Sequence, residues 1–466
     1  MKVAFCTSEA VPFAKTGGLA DVCAALPIAL EKLGHQLCVV MPQYPGVETT
    51  SLPVEIINDH VSQSQLGDHI PVFFIRHEKY FHRSGLYGDR NGDYNDNVQR
   101  FHYFCDQALQ VLQALQWKAD VIHCHDWQTS LIPVLLRYRF GHEGFWEKTK
   151  TLLTIHNLAY QGTGPAGDYA GLGFARDSLY DELFEFYGQI NLLKAGIMTS
   201  ERITTVSPQY AREIQTRELG CGLEGVLAKR RRDITGILNG IDTRLWNPET
   251  DPDIHKNYSP RQVADKQANK AFIQKKAGLA CNPDTPLFGL VGRLSHQKGI
   301  DLLAEILPHV EEWDIQIIIL GNGEKQYEDL LRAACAHAPE RIALFLEFNE
   351  ALAHQIYAGC DILLMPSRYE PCGLNQLIAL RYGVIPLVFR TGGLADTITP
   401  YDQGGNGFVF DTYSANDFKS ALRQAVDIYR DKDVFAALRV KAFSYDFSWD
   451  SSARLYADFY QQMVAE

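Results

Sequence analysis

The run Lys15-Thr16-Gly17-Gly18-Leu19-Ala20-Asp21 recurs as Arg390-Thr391-Gly392-Gly393-Leu394-Ala395-Asp396, 375 positions later. Each copy follows an apolar, strand-like run, residues 3–7 before the first and 385–389 before the second. A glycine pair between strand and helix lets backbone N–H groups close on an anion at the positive end of the helix. Two such loops, one near each end of the chain, restrict it to few architectures. They predict an α/β chain with two facing domains and one ligand between them.

The rest of the pattern fits that outline. Residues 36–41, 71–76, 120–124, 151–155 and 203–206 read as further strands, with helical periodicity at 19–33 and 97–116. Gly34 stands where a helix-ending glycine belongs. A second series follows at 286–291, 315–320, 342–345, 361–365 and 385–389. Strand ends carry polar residues or glycine: His123 to Trp127, His156-Asn157, Gly292 to Gly299, Gly321 to Gly323. Ligands of doubly wound parallel sheets sit at such ends. The stretch 160–187 is rich in glycine and aromatic residues and reads as a loop or lid. Three prolines and many polar residues mark 246–260 as an interdomain linker. The expected division is therefore 1–245, 246–447 and a final amphipathic helix over 448–466.

Composition narrows the function. At 466 residues, 46% hydrophobic and 21% charged, the chain reads as a soluble globular enzyme. A formal net charge of -12 argues against a nucleic-acid surface. The ten cysteines are scattered, with no CxxC pair, so they read as reduced thiols rather than zinc ligands. No basic-then-apolar leader is visible, and no apolar run reaches the roughly 20 residues that span a bilayer. The expected location is cytoplasmic, or the plastid stroma if a transit peptide has been removed.

Several residues carry chemistry. Arg293 and Lys298 share a glycine-flanked loop after a strand, and two fixed cations there suit a diphosphate; the alternative is a solvated basic loop. Glu370 precedes Pro371-Cys372-Gly373-Leu374 and a helix. It can hold sugar hydroxyls, with the amides of Cys372–Leu374 donating beside it, or simply favour the helix dipole. His123, His125 and Asp126 can form a metal set, a polar substrate wall or packing; the wall is preferred. Cys372 has no histidine partner that would make it a nucleophile. Neither glycine pair matches a Walker loop or GxGxxG, which disfavours kinases and dehydrogenases.

These motifs, with Thr154-Ile155-His156-Asn157 and Leu238-Asn239-Gly240-Ile241-Asp242, together resemble bacterial glycogen synthases and plant starch synthases. The resemblance runs from Met1 to about Trp449. It implies a glycosyltransferase of the B-type fold, two Rossmann-like domains facing a cleft, that retains anomeric configuration. It implies ADP-glucose as donor, the non-reducing end of an α-1,4-glucan as acceptor, ADP as leaving product, and no metal or other cofactor. It also implies that the last helix crosses back onto the N-terminal domain. By motif, Lys15 and Gly18 lie near the donor phosphates and glucose, and Asp21, Asn239 and His156 face the transferred glucose. Arg293, Lys298, Thr391, Gly392 and Gly393 hold the diphosphate. Glu370, Cys372, Gly373 and Leu374 meet the glucose, while Tyr94, Asp126 and His156 lie toward the acceptor. Lys15, His156, Arg293, Lys298 and Glu370 are the expected catalytic set. Phe348 stands where the family commonly has a tyrosine against adenine. Residues 164–176 match no family pattern. Domain closure on the ligand is expected to assemble the site. A UDP-glucose enzyme, another acceptor sugar, or a catalytically silent glucan binder are the alternatives.

Overall fold

The computed structural model describes every residue except 48, 49, 51, 91, 142, 143, 175–178 and 466. The chain divides into two compact units, Met1–Asn239 with Trp449–Glu466, and Gly240–Ser448.

Among the described residues, the first unit is built on a nine-stranded sheet. Its order is Ile234–Gly236, Arg202–Thr205, Lys150–Ile155, Val121–His125, Lys2–Cys6, Gln36–Pro42, Ile70–Ile75, Val61–Leu66, Glu55–Asn58. The first seven run parallel. Val3, Ala4, Phe5 and Cys6 are all fully buried, as a central parallel strand covered on both faces requires. The helix Gly18–Lys32 makes the crossover from Lys2–Cys6 to Gln36–Pro42. Gly34 ends it at φ +86°, its N–H donating to the Glu31 carbonyl at 2.8 Å.

The last two strands pair antiparallel and were not legible from periodicity. Val61–Leu66 reads V-S-Q-S-Q-L, and its buried Ser62 donates to Gln43 Oε1 at 2.6 Å instead of lying in an apolar run. The stretch expected as a loop or lid is partly ordered too. Thr163–Pro165, Gln189–Asn191 and Glu185–Phe186 form a small antiparallel sheet. Part of 164–176 lies outside the described residues.

The helix Trp449–Ala465 belongs to this unit. Trp449, Ala453, Tyr456, Tyr460 and Met463 recur every three or four residues, and all are buried in the core with Val22, Leu26 and Leu30 of Gly18–Lys32.

The second unit carries a six-stranded, all-parallel sheet among its described residues. The order is Ile342–Phe345, Gln316–Leu320, Leu287–Val291, Ile362–Met365, Ile385–Phe389, Phe408–Phe410. The expected linker, 246–260, is instead folded into this unit. Trp246 stacks on His354 with ring centroids 4.0 Å apart, and the Tyr258 hydroxyl donates to the Tyr382 carbonyl at 2.8 Å. The polar residues that suggested a linker are internally satisfied. Asn257 Nδ2 donates to the carbonyls of Pro248 and Asp251, and buried Asp251 accepts from His354 Nδ1 at 2.7 Å.

Candidate active site

In the first unit the polar residues gather at the carboxyl ends of the strands. Val121–His125 and Lys150–Ile155 are adjacent and in parallel register, His125 opposite Thr154, so their next residues, Asp126 and His156, emerge together. Asp126 adopts φ +56°, and its Oδ1 accepts the His156 backbone N–H at 2.7 Å. His125 Nδ1 lies 2.9 Å from His156 Nε2.

The expected wall needs one correction. His123 and His125 are fully buried and line no surface. His123 Nδ1 meets the Tyr460 hydroxyl at 2.8 Å and its Nε2 meets Thr154 Oγ1 at 2.5 Å. A strand packed on both faces puts alternate side chains into the interior rather than toward ligand. His156, half-buried, is the histidine that opens outward.

Burial sets the charge of this cluster. It holds His123 and His125 well below the ordinary imidazole value and lowers His156. It pushes the Asp126 carboxyl up to about 7, against backbone N–H groups of His156 and Asn157 that pull it down. The cluster is thus dominated by neutral hydrogen-bonding groups, which suit hydroxyls more than a fixed ion.

That carboxyl yields a pH prediction. Its folded value lies above the unfolded 3.8. Its contribution to stability is therefore complete below the unfolded value and is lost as pH rises through the folded one. Asp126→Asn keeps an oxygen for the His156 N–H and never ionises. Calorimetry from about pH 5 to about pH 8 is expected to show wild type falling progressively behind Asp126→Asn. A pH-independent gap would mean that Asp126 titrates as an ordinary carboxylate.

The first glycine loop is held from behind. Buried Glu9 accepts from the Thr16 N–H at 2.5 Å and the Thr16 hydroxyl at 2.7 Å. The Tyr87 hydroxyl also bonds Glu9 Oε1 at 2.5 Å. Glu9 and Tyr87 were missed in the sequence, since 78 positions separate them. Lys15 Nζ pairs with Asp21 Oδ1 at 2.8 Å, both side chains about a third exposed. Gly17 caps the helix and Gly18 begins it. Asn239 is buried, its Oδ1 without a hydrogen-bond partner among the described residues. Tyr94 sits in a separate network, its ring beside the Arg83 and Arg100 guanidinium groups at 4.7 and 4.9 Å. Its hydroxyl accepts the Gly85 N–H at 3.2 Å.

The second unit gathers its own set. Lys298 Nζ donates to Glu370 Oε2 at 2.5 Å, and buried Ser367 donates to the same oxygen at 3.0 Å. Arg293 is exposed in the same loop. Buried Thr391 caps the helix Gly392–Thr397. The Gly393 N–H donates to the carbonyls of Glu370 and Pro371, each at 3.1 Å. Gln376, another residue missed in the sequence, ties the Cys372-Gly373 turn down. Its Nε2 donates to both of their carbonyls at 2.9 and 3.0 Å. Leu374 follows as the cap of Asn375–Arg381. Cys372 is buried and Phe348 is 80% exposed. Arg390 is engaged by the Asp411 carboxylate, so it does not repeat the pairing of Lys15 with Asp21.

Among the described residues, the acids and histidines spaced to hold a cation are Asp251, Asp253 and His354, within 4.8 Å of one another. They lie apart from these sets, and Asp251 already binds His354 and the Tyr382 hydroxyl.

The starch synthase catalytic domain family matches residues 2–229, and the group 1 glycosyl transferases match 272–436. The chain is 45% identical to glycogen synthase 2 of Geobacter sulfurreducens over 99% of its length and 98% of the relative's. The chain belongs to the glycogen and starch synthase family. It is also 45% identical to the glycogen synthase of Geotalea uraniireducens, covering 100% of this chain and 99% of that one. The catalytic domain of starch synthase IV from Arabidopsis thaliana, solved bound to ADP and acarbose, superposes with a TM-score of 0.90 at 33% identity. That match covers 100% of this chain and 99% of the other. Sucrose-phosphate synthase of Thermosynechococcus elongatus shares the fold, with a TM-score of 0.63 at 17% identity, over 100% of this chain and 99% of that one. The chain is thus a glycosyltransferase of the B-type fold, each unit Rossmann-like. None of its described helices is long and apolar enough to cross a membrane.

Proposed function

We propose that the chain transfers glucose from ADP-glucose to the non-reducing end of an α-1,4-glucan with retention, releasing ADP. The observation that carries this is the Lys298–Glu370 pair beside Gly392-Gly393, in a chain related over its full length to glycogen synthases. The starch synthase solved with ADP supports the adenine donor.

The C1–oxygen bond to ADP breaks as a C1–oxygen bond to the acceptor hydroxyl forms on the same face. The leaving diphosphate oxygen takes that hydroxyl's proton, so the products are ADP and a glucan one glucose longer. Arg293 and Lys298 neutralise the growing negative charge, with Lys15 and the backbone of Thr391 and Gly392 beside them. The Gly393 N–H, expected on the diphosphate, is instead spent on the Glu370 and Pro371 carbonyls and holds the loop. Glu370, Cys372, Gly373, Leu374, Asp21, Asn239 and Gly18 hold the glucose. His156 and Asp126 hydrogen-bond hydroxyls around the transfer point, Tyr94 lies along the acceptor, and Phe348 covers the adenine. The reaction needs no metal ion, because side-chain cations serve the diphosphate. Ten free cysteines suit the reducing cytoplasm.

A competition assay tests the reading. Labelled ADP-glucose and UDP-glucose are offered with malto-oligosaccharide, and the extended chain is checked for α-linkage by NMR. ADP-glucose is expected to win in kcat/KM. Preference for UDP-glucose would overturn the donor assignment, and no transfer from either would mark a silent glucan binder. A glucosyl adduct on Glu370 by mass spectrometry would replace the same-face route with a double displacement.

A further inference from the structure

The His125–His156 contact has two possible proton arrangements, and the surroundings distinguish them. His125 Nδ1 and His156 Nε2 are 2.9 Å apart, so one donates and the other accepts. His125 is fully buried, its ring stacked on Phe5 at 5.4 Å and beside His123 at 4.1 Å. Its Nε2 has no hydrogen-bond partner among the described residues. His123 cannot serve it, because both of its nitrogens are committed to Tyr460 and Thr154.

If His156 donated, the single hydrogen on neutral His125 would sit on Nε2 and be buried with nothing to accept it. If His125 donates from Nδ1, its Nε2 keeps only a bare lone pair against the neighbouring rings. Orphaned buried N–H groups are rarer than under-used acceptors. Burial also holds both rings in the neutral form, so a doubly protonated arrangement does not compete.

We infer that His125 is a positioning residue that fixes His156 as the Nδ1–H tautomer, so that His156 presents a neutral N–H donor on its remaining nitrogen. The backbone around His125 is built to hold this direction. Its N–H donates to Thr129 Oγ1 at 2.6 Å, and the Thr129 hydroxyl returns a bond to the His125 carbonyl at 2.9 Å. A histidine locked in this way donates to a sugar or phosphate oxygen without carrying a charge. The catalytic consequence rests on the proposed place of His156 at the transferred glucose. The tautomer itself does not, since it is read in the free protein.

The test is nitrogen NMR on ¹⁵N-histidine-labelled full chain, with His156 assigned by its loss in His156→Gln. The expected spectrum shows the hydrogen on Nδ1 of His156 and on Nδ1 of His125. His125→Phe keeps the ring stack but not the donor, and it is expected to shift His156 toward the Nε2–H form. Transfer kcat/KM is expected to fall by about tenfold, on the scale of one misdirected hydrogen bond. His125→Asn, whose amide can donate from near the Nδ1 position, is expected to retain the tautomer and most of the rate. His156 found as the Nε2–H form in the unaltered protein overturns the inference, whatever the activity. So does His125→Phe with the His156 tautomer unchanged. If His125→Phe does not fold, the wild-type and His125→Asn spectra decide alone. A correct tautomer with no glucosyl transfer would sink the proposed function and leave the lock standing.

Discussion

Lys298→Ala is expected to lower kcat by about 10²–10³-fold, the effect of removing one preorganised group aimed at developing charge, about 3–4 kcal/mol. The cation is held in place before any ligand arrives. Its backbone lies in the turn His296–Lys298, where the Lys298 N–H donates to the Ser295 carbonyl at 3.0 Å. Gly299 closes that turn at φ +73°, packed so tightly that a Cβ would come within 2.0 Å of the Pro366 carbonyl oxygen. The side chain is then fixed on Glu370 at 2.5 Å. In the proposed reaction, little reorganisation would then remain to be done as the diphosphate leaves.

The same substitution also leaves the largely buried Glu370 carboxylate with its Ser367 bond but no cation, so some stability is expected to go with the rate. The two losses separate in a double-mutant cycle with Glu370→Gln. Removing both partners is expected to restore much of the melting temperature and none of the kcat. A near-normal kcat in Lys298→Ala would remove Lys298 from the transfer step.

What the sequence made legible, and what it hid, follows from how far apart the cooperating residues lie. Strands such as Leu287–Val291 and Gln316–Leu320 are buried on both faces, so they appear as continuous apolar runs. The polar residues that follow them stand out for the same reason. Arg293, Lys298 and Glu370 could therefore be picked out singly. The 2.5 Å contact between Lys298 and Glu370 could not, because it spans 72 positions. Glu9 and Tyr87 were invisible as a pair, each looking like an ordinary residue of its own segment. His123 and His125 misled in the opposite direction. Their polarity suggested a surface, whereas Tyr460 and Thr154 satisfy His123 in the interior and buried His125 is engaged by His156 through Nδ1 alone. The 246–260 segment misled likewise, since its prolines and polar groups bond within the second unit and around the Trp246–His354 stack.

The two glycine loops, alike in sequence, are expected to respond very unequally to the same substitution. Gly392→Ala places a Cβ 1.9 Å from the Glu370 carbonyl oxygen and 3.3 Å from that of Pro371, at a φ of +44°. The carbonyls cannot retreat freely, because the Gly393 N–H binds both at 3.1 Å. Strain of a side chain at positive φ, about 1–2 kcal/mol, adds to overpacking of about 1–3 kcal/mol. The substitution also pushes on Glu370, which carries the Lys298 contact, so kcat is expected to fall together with stability. At Gly17 a Cβ would meet nothing within 4 Å. The backbone there is extended, at φ −163°. Gly17→Ala is therefore expected to change stability by no more than about 0.5 kcal/mol. In the second copy glycine is required by backbone packed against backbone. In the first that requirement is absent, so any rate lost in Gly17→Ala reports the approach of substrate itself. Thermal melts and steady-state kinetics on the two variants side by side decide the matter: equal melting temperatures would refute the distinction.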